Sequence, residues 1–111
     1  MLVITVRHML NPGQFDAAWR RIVGNTDAMQ DIPGFLFRHT GVKPGSQTEI
    51  TTVTAWRDAA ARAIWEERRK VTPPAGDPKV LFSGYEIIEV EVGDARWGAD
   101  LATAIVPGVA S

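Results

Sequence analysis

Two kinds of hydrophobic spacing alternate along this chain, one typical of strands and one typical of helices. Residues 2–10, LVITVRHML, are rich in β-branched and apolar side chains and predict a first strand. After the break Asn11-Pro12-Gly13, large side chains recur every three, four or seven residues, which places them on one face of a helix. This pattern predicts a helix over residues 13–30, with an apolar face formed by Phe15, Trp19, Ile22 and Met29.

The second half of the chain repeats the alternation with shorter connections. Residues 35–42 and 49–56 predict two strands, and the turn residues Lys43-Pro44-Gly45-Ser46 between them indicate a hairpin. A second helix is predicted from Asp58 to Lys70, where acidic and basic residues pair along its exposed side. A single helical turn is expected near residues 78–82, and residues 85–92 alternate as a last strand.

The resulting order, β-α-β-β-α-β, predicts an α+β fold of the ferredoxin-like type, an antiparallel four-stranded sheet with both helices on one face. Residues 1–92 form this domain, and 93–111 are a tail expected to pack on the domain or on a partner subunit, or to be disordered beyond about Pro107. Many apolar side chains point away from the helices, so we expect a second copy to cover the other face of the sheet. The predicted partner is therefore an identical chain, in a homodimer.

The amino-acid composition of the chain excludes several classes of function. The chain has 111 residues, 45% of them hydrophobic and 23% charged, which is typical of one globular domain. The net charge of −1, without a long basic run, argues against nucleic-acid binding, and the basic residues 68–70 directly follow two glutamates in a helix. No apolar run approaches a membrane span, and the first residues alternate like a strand rather than forming a signal peptide, so a cytoplasmic location without membrane contact is expected. The absence of cysteine excludes disulfides and thiolate chemistry.

Two local patterns resemble the antibiotic biosynthesis monooxygenase family. The first is Ile32-Pro33-Gly34-Phe35-Leu36, and the second is Thr54-Ala55-Trp56-Arg57-Asp58 followed by Ile64-Trp65. The resemblance covers residues 2–92 and implies a homodimer in which two sheets face each other as a dimeric α+β barrel, with a pocket between the helices and the sheet of each subunit. The family includes cofactor-independent monooxygenases that convert phenolic polyketides or quinols to quinones with O₂, and haem-degrading enzymes.

Trp65 is the first candidate for the site. The resemblance places it where both enzymatic branches have a pocket tryptophan on the second helix, and an indole offers a flat wall and one N–H donor to an aromatic ligand. The alternative is a core tryptophan that joins the helix to the sheet.

Arg7 and His39 are the other catalytic candidates. The guanidinium of Arg7 can hold a phenolate or carboxylate, and the alternative is a strand-end arginine that reaches into solvent. A histidine near the pocket, either His39 or His8, can act as a general base toward a phenol, and the alternative is a hydrogen-bonded strand histidine. Since the strands carrying the two histidines are separated by the third strand, no metal site is expected.

The chain also departs from the family pattern. No histidine follows His39, so the axial ligand that haem degraders place shortly after the helix-two tryptophan is missing. Tyr85, on the last strand, is the only tyrosine, whereas the quinone-forming branch often has one just after that tryptophan.

These candidate residues lead to one preferred function and two alternative functions. The preferred function is a monooxygenase that needs no cofactor and oxidises a small planar aromatic molecule, with Arg7 or His39 stabilising or generating the phenolate. The walls of its pocket are expected to be Phe15, Trp19, Phe37 and Trp65. The alternatives are a non-enzymatic ligand-binding or stress-associated dimer of the same fold, and a haem binder that uses His8 or His39.

Overall fold

A computed structural model describes residues 1–100 and confirms the predicted order of elements. A short helix, α3, occupies the place of the expected single turn, and the last strand begins three residues earlier than predicted. The part of the tail from residue 101 to 111 lies outside the described residues, and so does its expected docking. The elements are β1 (Leu2–Leu10), α1 (Phe15–Met29), β2 (Phe35–Gly41), β3 (Glu49–Trp56), α2 (Ala59–Val71), α3 (Pro78–Leu81) and β4 (Phe82–Glu91).

The four strands form one antiparallel sheet in the order β2-β3-β1-β4, with the helices on one face. Because side chains alternate along a strand, the even-numbered residues of β1 face the helices and the odd-numbered residues face the other side. Of the former, Leu2, Ile4, His8 and Leu10 are buried. The alternation of side chains along this central strand therefore decides which of its residues can reach a pocket beneath the helices.

The helix α2 begins at a side-chain cap. The Asp58 carboxylate accepts a hydrogen bond from the Ala61 backbone N–H at 2.9 Å, which holds the pKa of that carboxyl below its usual value. Ala61 and Trp65 are the buried residues of this helix, one turn apart, and they pack against the sheet residue Trp56. The cap at Asp58 therefore determines where α2 begins, and the spacing of Ala61 and Trp65 determines which face of the helix packs on the sheet.

The glycine of the Ile32-Pro33-Gly34-Phe35-Leu36 motif has a structural role. Gly34 has a φ of +92°, and its carbonyl accepts a hydrogen bond from the Arg57 N–H at 2.7 Å. A Cβ at this position would lie 2.6 Å from Ala61 Cβ. The motif therefore brings the start of β2 into close contact with the start of α2, which only glycine permits.

A β-bulge follows this turn and changes which residues of β2 face the helices. Phe35 lies opposite Trp56 and Phe37 lies opposite Ala55, so Leu36 is an extra residue without a partner on β3. One extra residue reverses the side-chain alternation beyond it. As a result, Arg38 faces the helices, whereas Phe37 and His39 face the opposite side of the sheet.

The buried apolar residues form two separate clusters between the helices and the sheet. One cluster contains Leu2, Ile4, Met29, Ile32, Trp56, Ala61 and Trp65, and the other contains Leu10, Ala18, Ile22, Ile50, Leu81 and Phe82. Two buried threonines of β3, Thr52 and Thr54, lie between Ile50 and Trp56 on this face. Within residues 1–100, none of the helices has the length and apolar character that crossing a membrane requires.

Candidate functional site

A cavity of about 540 Å³ lies between the helices and the sheet and contacts both apolar clusters. This volume is within the range of about 300–1,000 Å³ found for pockets that bind small molecules. Residues of β1 and β3 line the sheet side, and residues of α1, α2 and the loop after α2 line the other side. The pocket that the family resemblance implies is thus present in this chain.

Trp65 lines this cavity from α2 and also belongs to one of the apolar clusters. The residue is 6% exposed, so its indole forms a wall of the cavity while it anchors the helix to the sheet. The two interpretations of Trp65 are therefore compatible. An indole in this position presents a flat apolar surface to a ligand.

His8 lines the cavity from β1, close to Phe82 and Tyr85 of β4. Its Nδ1 lies 3.0 Å from the carbonyl oxygen of Ile50. A carbonyl oxygen only accepts hydrogen bonds, so Nδ1 carries the proton and the neutral ring keeps its lone pair on Nε2. Burial lowers the pKa of His8, and the positive charges of Arg38 and Arg21 lower it further. At neutral pH this imidazole is therefore an uncharged base.

Arg38 enters the cavity because of the β-bulge at Leu36. Its Nη1 makes long contacts with the Ile22 carbonyl oxygen, at 3.3 Å, and with Met29 Sδ, at 3.9 Å. Its Nε is buried and has no hydrogen-bond partner in the described part of the chain. Burial lowers the pKa of Arg38 to about 10, so the side chain remains a cation at neutral pH.

Arg21 adds a second positive charge to the cavity wall. Its Nη1 donates to three consecutive carbonyl oxygens in the loop after α2, those of Pro74, Ala75 and Gly76, at 2.9–3.1 Å. These contacts hold the loop over the cavity without cancelling the charge of the guanidinium. Dipolar carbonyl groups orient Arg21 there.

The remaining charged groups of the lining are paired. Arg62 contacts Glu89 of β4 and Glu66 of α2, and Arg69 contacts Glu66 at 3.1 Å. The Arg62–Glu89 pair joins α2 to the edge strand. Because these arginines have carboxylate partners, the excess positive charge of the cavity comes from Arg38 and Arg21.

Arg7 lies on the face of the sheet away from the cavity. It is an odd-numbered residue of β1, and it donates to Glu49 Oε2 at 3.0 Å and to Glu86 Oε2 at 2.9 Å. These two carboxylates, first Glu49 and then Glu86, raise the pKa of Arg7. The structure therefore places Arg7 in ion pairs that tie β1 to both neighbouring strands, and not beside Trp65.

The other predicted site residues are also outside the cavity. Phe37 and His39 contact each other on the far face of the sheet, with ring centroids 5.0 Å apart, because of the bulge. Phe15 and Trp19 stack at 6.1 Å, pack against the second apolar cluster and line a separate shallow groove together with Val42. Of the site residues predicted from the sequence, Trp65 and the alternative base His8 line the large cavity.

The cavity residues that the sequence analysis did not assign are Arg21, Arg38 and, as the favoured base, His8. The side-chain alternation along β1 was a usable signal for His8, because it places this residue on the same face of the strand as Leu2 and Ile4. Arg21 lies next to the apolar stripe of α1. Arg38 had no comparable signal, because regular alternation from Phe35 would have placed Phe37 beneath the helices. No cluster of three or more potential metal ligands occurs in the described residues 1–100.

Several solved structures are similar to this chain in fold. A variant of SnoaB, a cofactor-independent oxygenase from Streptomyces nogalater, is 13% identical over 85% of this chain and 94% of its own, with a TM-score of 0.72. A protein described as an antibiotic biosynthesis monooxygenase is 14% identical over 85% of this chain and 100% of its own, with a TM-score of 0.67.

A variant of MhuD with two manganese protoporphyrin IX molecules bound per active site is also similar. It is 19% identical over 88% of this chain and 100% of its own, with a TM-score of 0.68. No protein-family model and no curated protein matches the sequence. Identities this low carry information on the fold alone. The chain has the ferredoxin-like α+β fold of the antibiotic biosynthesis monooxygenase-like proteins.

Proposed function

We propose that this protein is a cofactor-independent monooxygenase that oxidises a planar phenolic molecule with O₂ in the cavity beneath its helices. The observation that carries the proposal is the lining of one cavity, which combines a neutral histidine, an aromatic wall and two cations that have no carboxylate partner among residues 1–100. SnoaB, a cofactor-independent oxygenase, has the same fold, so this fold can accommodate the proposed chemistry.

His8 is the proposed general base. Its neutral tautomer has an unprotonated Nε2, and its lowered pKa keeps it in this form at neutral pH. Deprotonation of a phenol makes it a far better electron donor, which is the step that O₂ chemistry without a cofactor requires. A positioned base of this kind contributes about 10²–10⁴-fold to a rate.

Arg38 and Arg21 supply the electrostatic stabilisation. Both side chains line the same cavity as His8, and both are positively charged at neutral pH. A nearby cation favours the charged form of an acid, so the pKa of a bound phenol decreases. Fixed charges that are already in place need no reorganisation when the phenolate forms, which strengthens their effect on it.

The proposed reaction balances without an external reductant. In an anthrone, taken as the test substrate, one oxygen atom of O₂ replaces the two hydrogens of the methylene carbon and forms a carbonyl group. The second oxygen atom leaves with these two hydrogens as water. The substrate carbon supplies the four electrons that O₂ accepts, and the product is a quinone.

The test is O₂ uptake with anthrone, followed with an oxygen electrode and corrected for the reaction without protein. We expect His8→Gln to lower kcat by about 100-fold, because the base is lost. We expect Trp65→Phe to raise KM more than it lowers kcat, because the flat wall becomes smaller. Arg20→Gln, on the exposed side of α1, is the control.

Two outcomes decide between the enzymatic and non-enzymatic readings. Uptake that equals the protein-free rate, although the aromatic compound binds, would leave a ligand-binding protein in place of an enzyme. Uptake that is unchanged in His8→Gln would remove His8 from the proposed mechanism.

A haem-binding function is the second candidate, because the neutral tautomer of His8 keeps a lone pair on Nε2, which has no hydrogen-bond partner within residues 1–100 and can bind iron. The fold similarity to MhuD, which is described with a bound porphyrin, favours the same test. Titration with haemin should then produce a shifted Soret band that His8→Gln abolishes. A spectrum equal to that of free haemin would exclude this function. His39 lies on the other face of the sheet and serves as the control position.

We also infer that two copies pair through the face of the sheet opposite the helices. On β4, Ile88 and Val90 are 61% and 49% exposed in the single chain, on the side where Phe37 and His39 lie. The charge of Arg7 on this face is neutralised by Glu49 and Glu86, so its burial costs less than that of a free cation. In such a homodimer Arg7 and His39 would lie at the interface.

A further inference from the structure

The cavity contains more positive charge than one phenolate can neutralise. Among the described residues, neither Arg38 nor Arg21 pairs with a carboxylate, whereas Arg62 and Arg69 both do. Glu66, the carboxylate in the lining, is occupied by these latter two arginines. A bound phenolate brings one negative charge, so one of the two free cations would still lack a partner.

Arg38 in particular has an incomplete set of hydrogen bonds. Its Nη1 side contacts a helix carbonyl and a methionine sulfur, and Nε, on the other side of the guanidinium, has no partner within residues 1–100. The accessible surface of Nε is close to zero, so this atom does not open into the cavity, and what a ligand in the cavity can neutralise is the positive charge of the guanidinium. A guanidinium attracts a carboxylate through this charge, and its Nη2 hydrogens can donate to a carboxylate oxygen.

Arg38 has no evident structural purpose that would explain its burial. Its weak contacts with Ile22 and Met29 do not offset the desolvation that lowers its pKa to about 10. Buried charges are otherwise paired or bound to a ligand. A cation that is kept beneath the helices without a carboxylate partner among residues 1–100 therefore indicates an anion from outside the chain.

We infer that the ligand of this cavity is an aromatic carboxylic acid, whose carboxylate pairs with Arg38 and whose charge is shared by Arg21. The inference rests on the proposed aromatic-binding function of the same cavity and names its substrate class. The apolar surfaces of Trp65 and Met29 then contact the rings, while the phenolic hydroxyl of the substrate is the group that His8 deprotonates. The two negative charges of such a ligand match the two unpaired arginines.

The test compares two ligands of nearly equal shape, 2-naphthoate and naphthalene-2-carboxamide, by isothermal titration calorimetry with the full chain at pH 7.5. Only the first carries a charge. We expect the wild-type protein to bind the carboxylate at least about tenfold more tightly than the carboxamide. Equal affinities would overturn the inference, and this comparison does not depend on any variant.

Arg38→Gln assigns the effect to one residue. We expect this variant to bind both ligands equally, because the affinity for the carboxylate falls and the affinity for the carboxamide stays. Arg20→Gln, one residue before Arg21 on the exposed side of α1, is the control and should retain the preference. If Arg38→Gln also retains the preference, the carboxylate does not pair with Arg38 and the inference is wrong.

The outcomes also separate this inference from the proposed oxidation. Preference for the carboxylate together with anthrone-dependent O₂ uptake at the protein-free rate would support the acid site and contradict the monooxygenase. Catalysed O₂ uptake together with equal affinities for the two naphthalene compounds would support the monooxygenase and contradict the acid site.

Discussion

At the scale of single residues, the polar groups of the cavity depend on one another. Arg38 and Arg21 keep His8 neutral, after burial itself, by lowering its pKa. Because the imidazole is neutral, the two guanidinium groups are not repelled by a third positive charge in the cavity. The side chains that would serve the chemistry are thus also the ones that are costly to bury, as is common at functional sites.

His8 should make the stability of the protein depend on pH. Its pKa in the folded state is below the ordinary value of 6.5, so the unfolded chain binds more protons as the pH falls below about 6.5. We expect the free energy of unfolding to decrease in this window, with a slope from His8 of at most about 1.4 kcal/mol per pH unit. The loss stops once the pH is below the folded pKa.

Urea unfolding between pH 7.5 and 5 measures this slope. In His8→Gln the slope should be smaller, since the group that titrates is gone. The matched control is His39→Gln, which makes the same replacement on the face of the sheet opposite the cavity. An identical slope in the wild type and in His8→Gln would contradict the prediction.

Arg38 should reduce the stability of the free protein. Its Nε is a buried donor without a partner in the described chain, and leaving such a group unsatisfied costs about 1–3 kcal/mol. We therefore expect Arg38→Met, which keeps a flexible chain of similar length, to raise the free energy of unfolding by about 1 kcal/mol or more. Arg20→Met is the exposed control. A decrease of stability in Arg38→Met, measured by urea unfolding, would show that the arginine is held by interactions that compensate its burial.

At the scale of elements, the sequence predicts the strands and helices well because each has a regular hydrophobic period. The bounds of β1 and β3 agree with the structure to the residue, and the cap at Asp58 marks the start of α2. The prediction of side-chain direction was incomplete in β2, where the regular alternation of the strand is broken. The extra residue Leu36 leaves the composition of β2 unchanged but reverses the direction of its later side chains.

This reversal explains the part of the site that the sequence did not reveal. From the sequence, Phe37 was expected in the wall of the pocket and Arg38 had no assigned role, whereas the bulge turns Phe37 away from the helices and Arg38 toward them. Trp65, by contrast, was assigned to a pocket through the family resemblance, and it lines the cavity from α2. A local irregularity of this kind depends on the contact between β2 and α2 at Gly34, which is a tertiary effect that periodicity does not report.

Two glycines allow a direct test of the contact at Gly34. Gly34→Ala should lower the free energy of unfolding by about 1–3 kcal/mol, because φ is +92° and the new Cβ would clash with Ala61. Gly24→Ala, in the middle of α1 with no atom near the new Cβ, should raise it by about 0.5–1 kcal/mol. Thermal or urea unfolding measures both values. Similar effects of the two substitutions would mean that the turn at Gly34 adapts easily.

At the scale of the whole molecule, one face of the sheet is covered by helices and the other carries apolar side chains without cover in the single chain. If two copies pair there, Ile88→Lys should shift the protein from twice the mass of one chain to that of one chain in sedimentation equilibrium. Ile64→Lys is the control, since Ile64 is 45% exposed on α2, away from that face. A wild-type protein that sediments as one chain at micromolar concentration would contradict the inferred pairing.

The gap between the two apolar clusters means that an occupant of the cavity would complete the interior of the protein. Any compound that fits only the folded chain shifts the folding equilibrium, by about 2.7 kcal/mol when its concentration is a hundred times its dissociation constant. The melting temperature thereby becomes a reporter of occupancy that requires no turnover. A library of flat acids, screened by heat denaturation, can then rank natural ligands before any reaction is known.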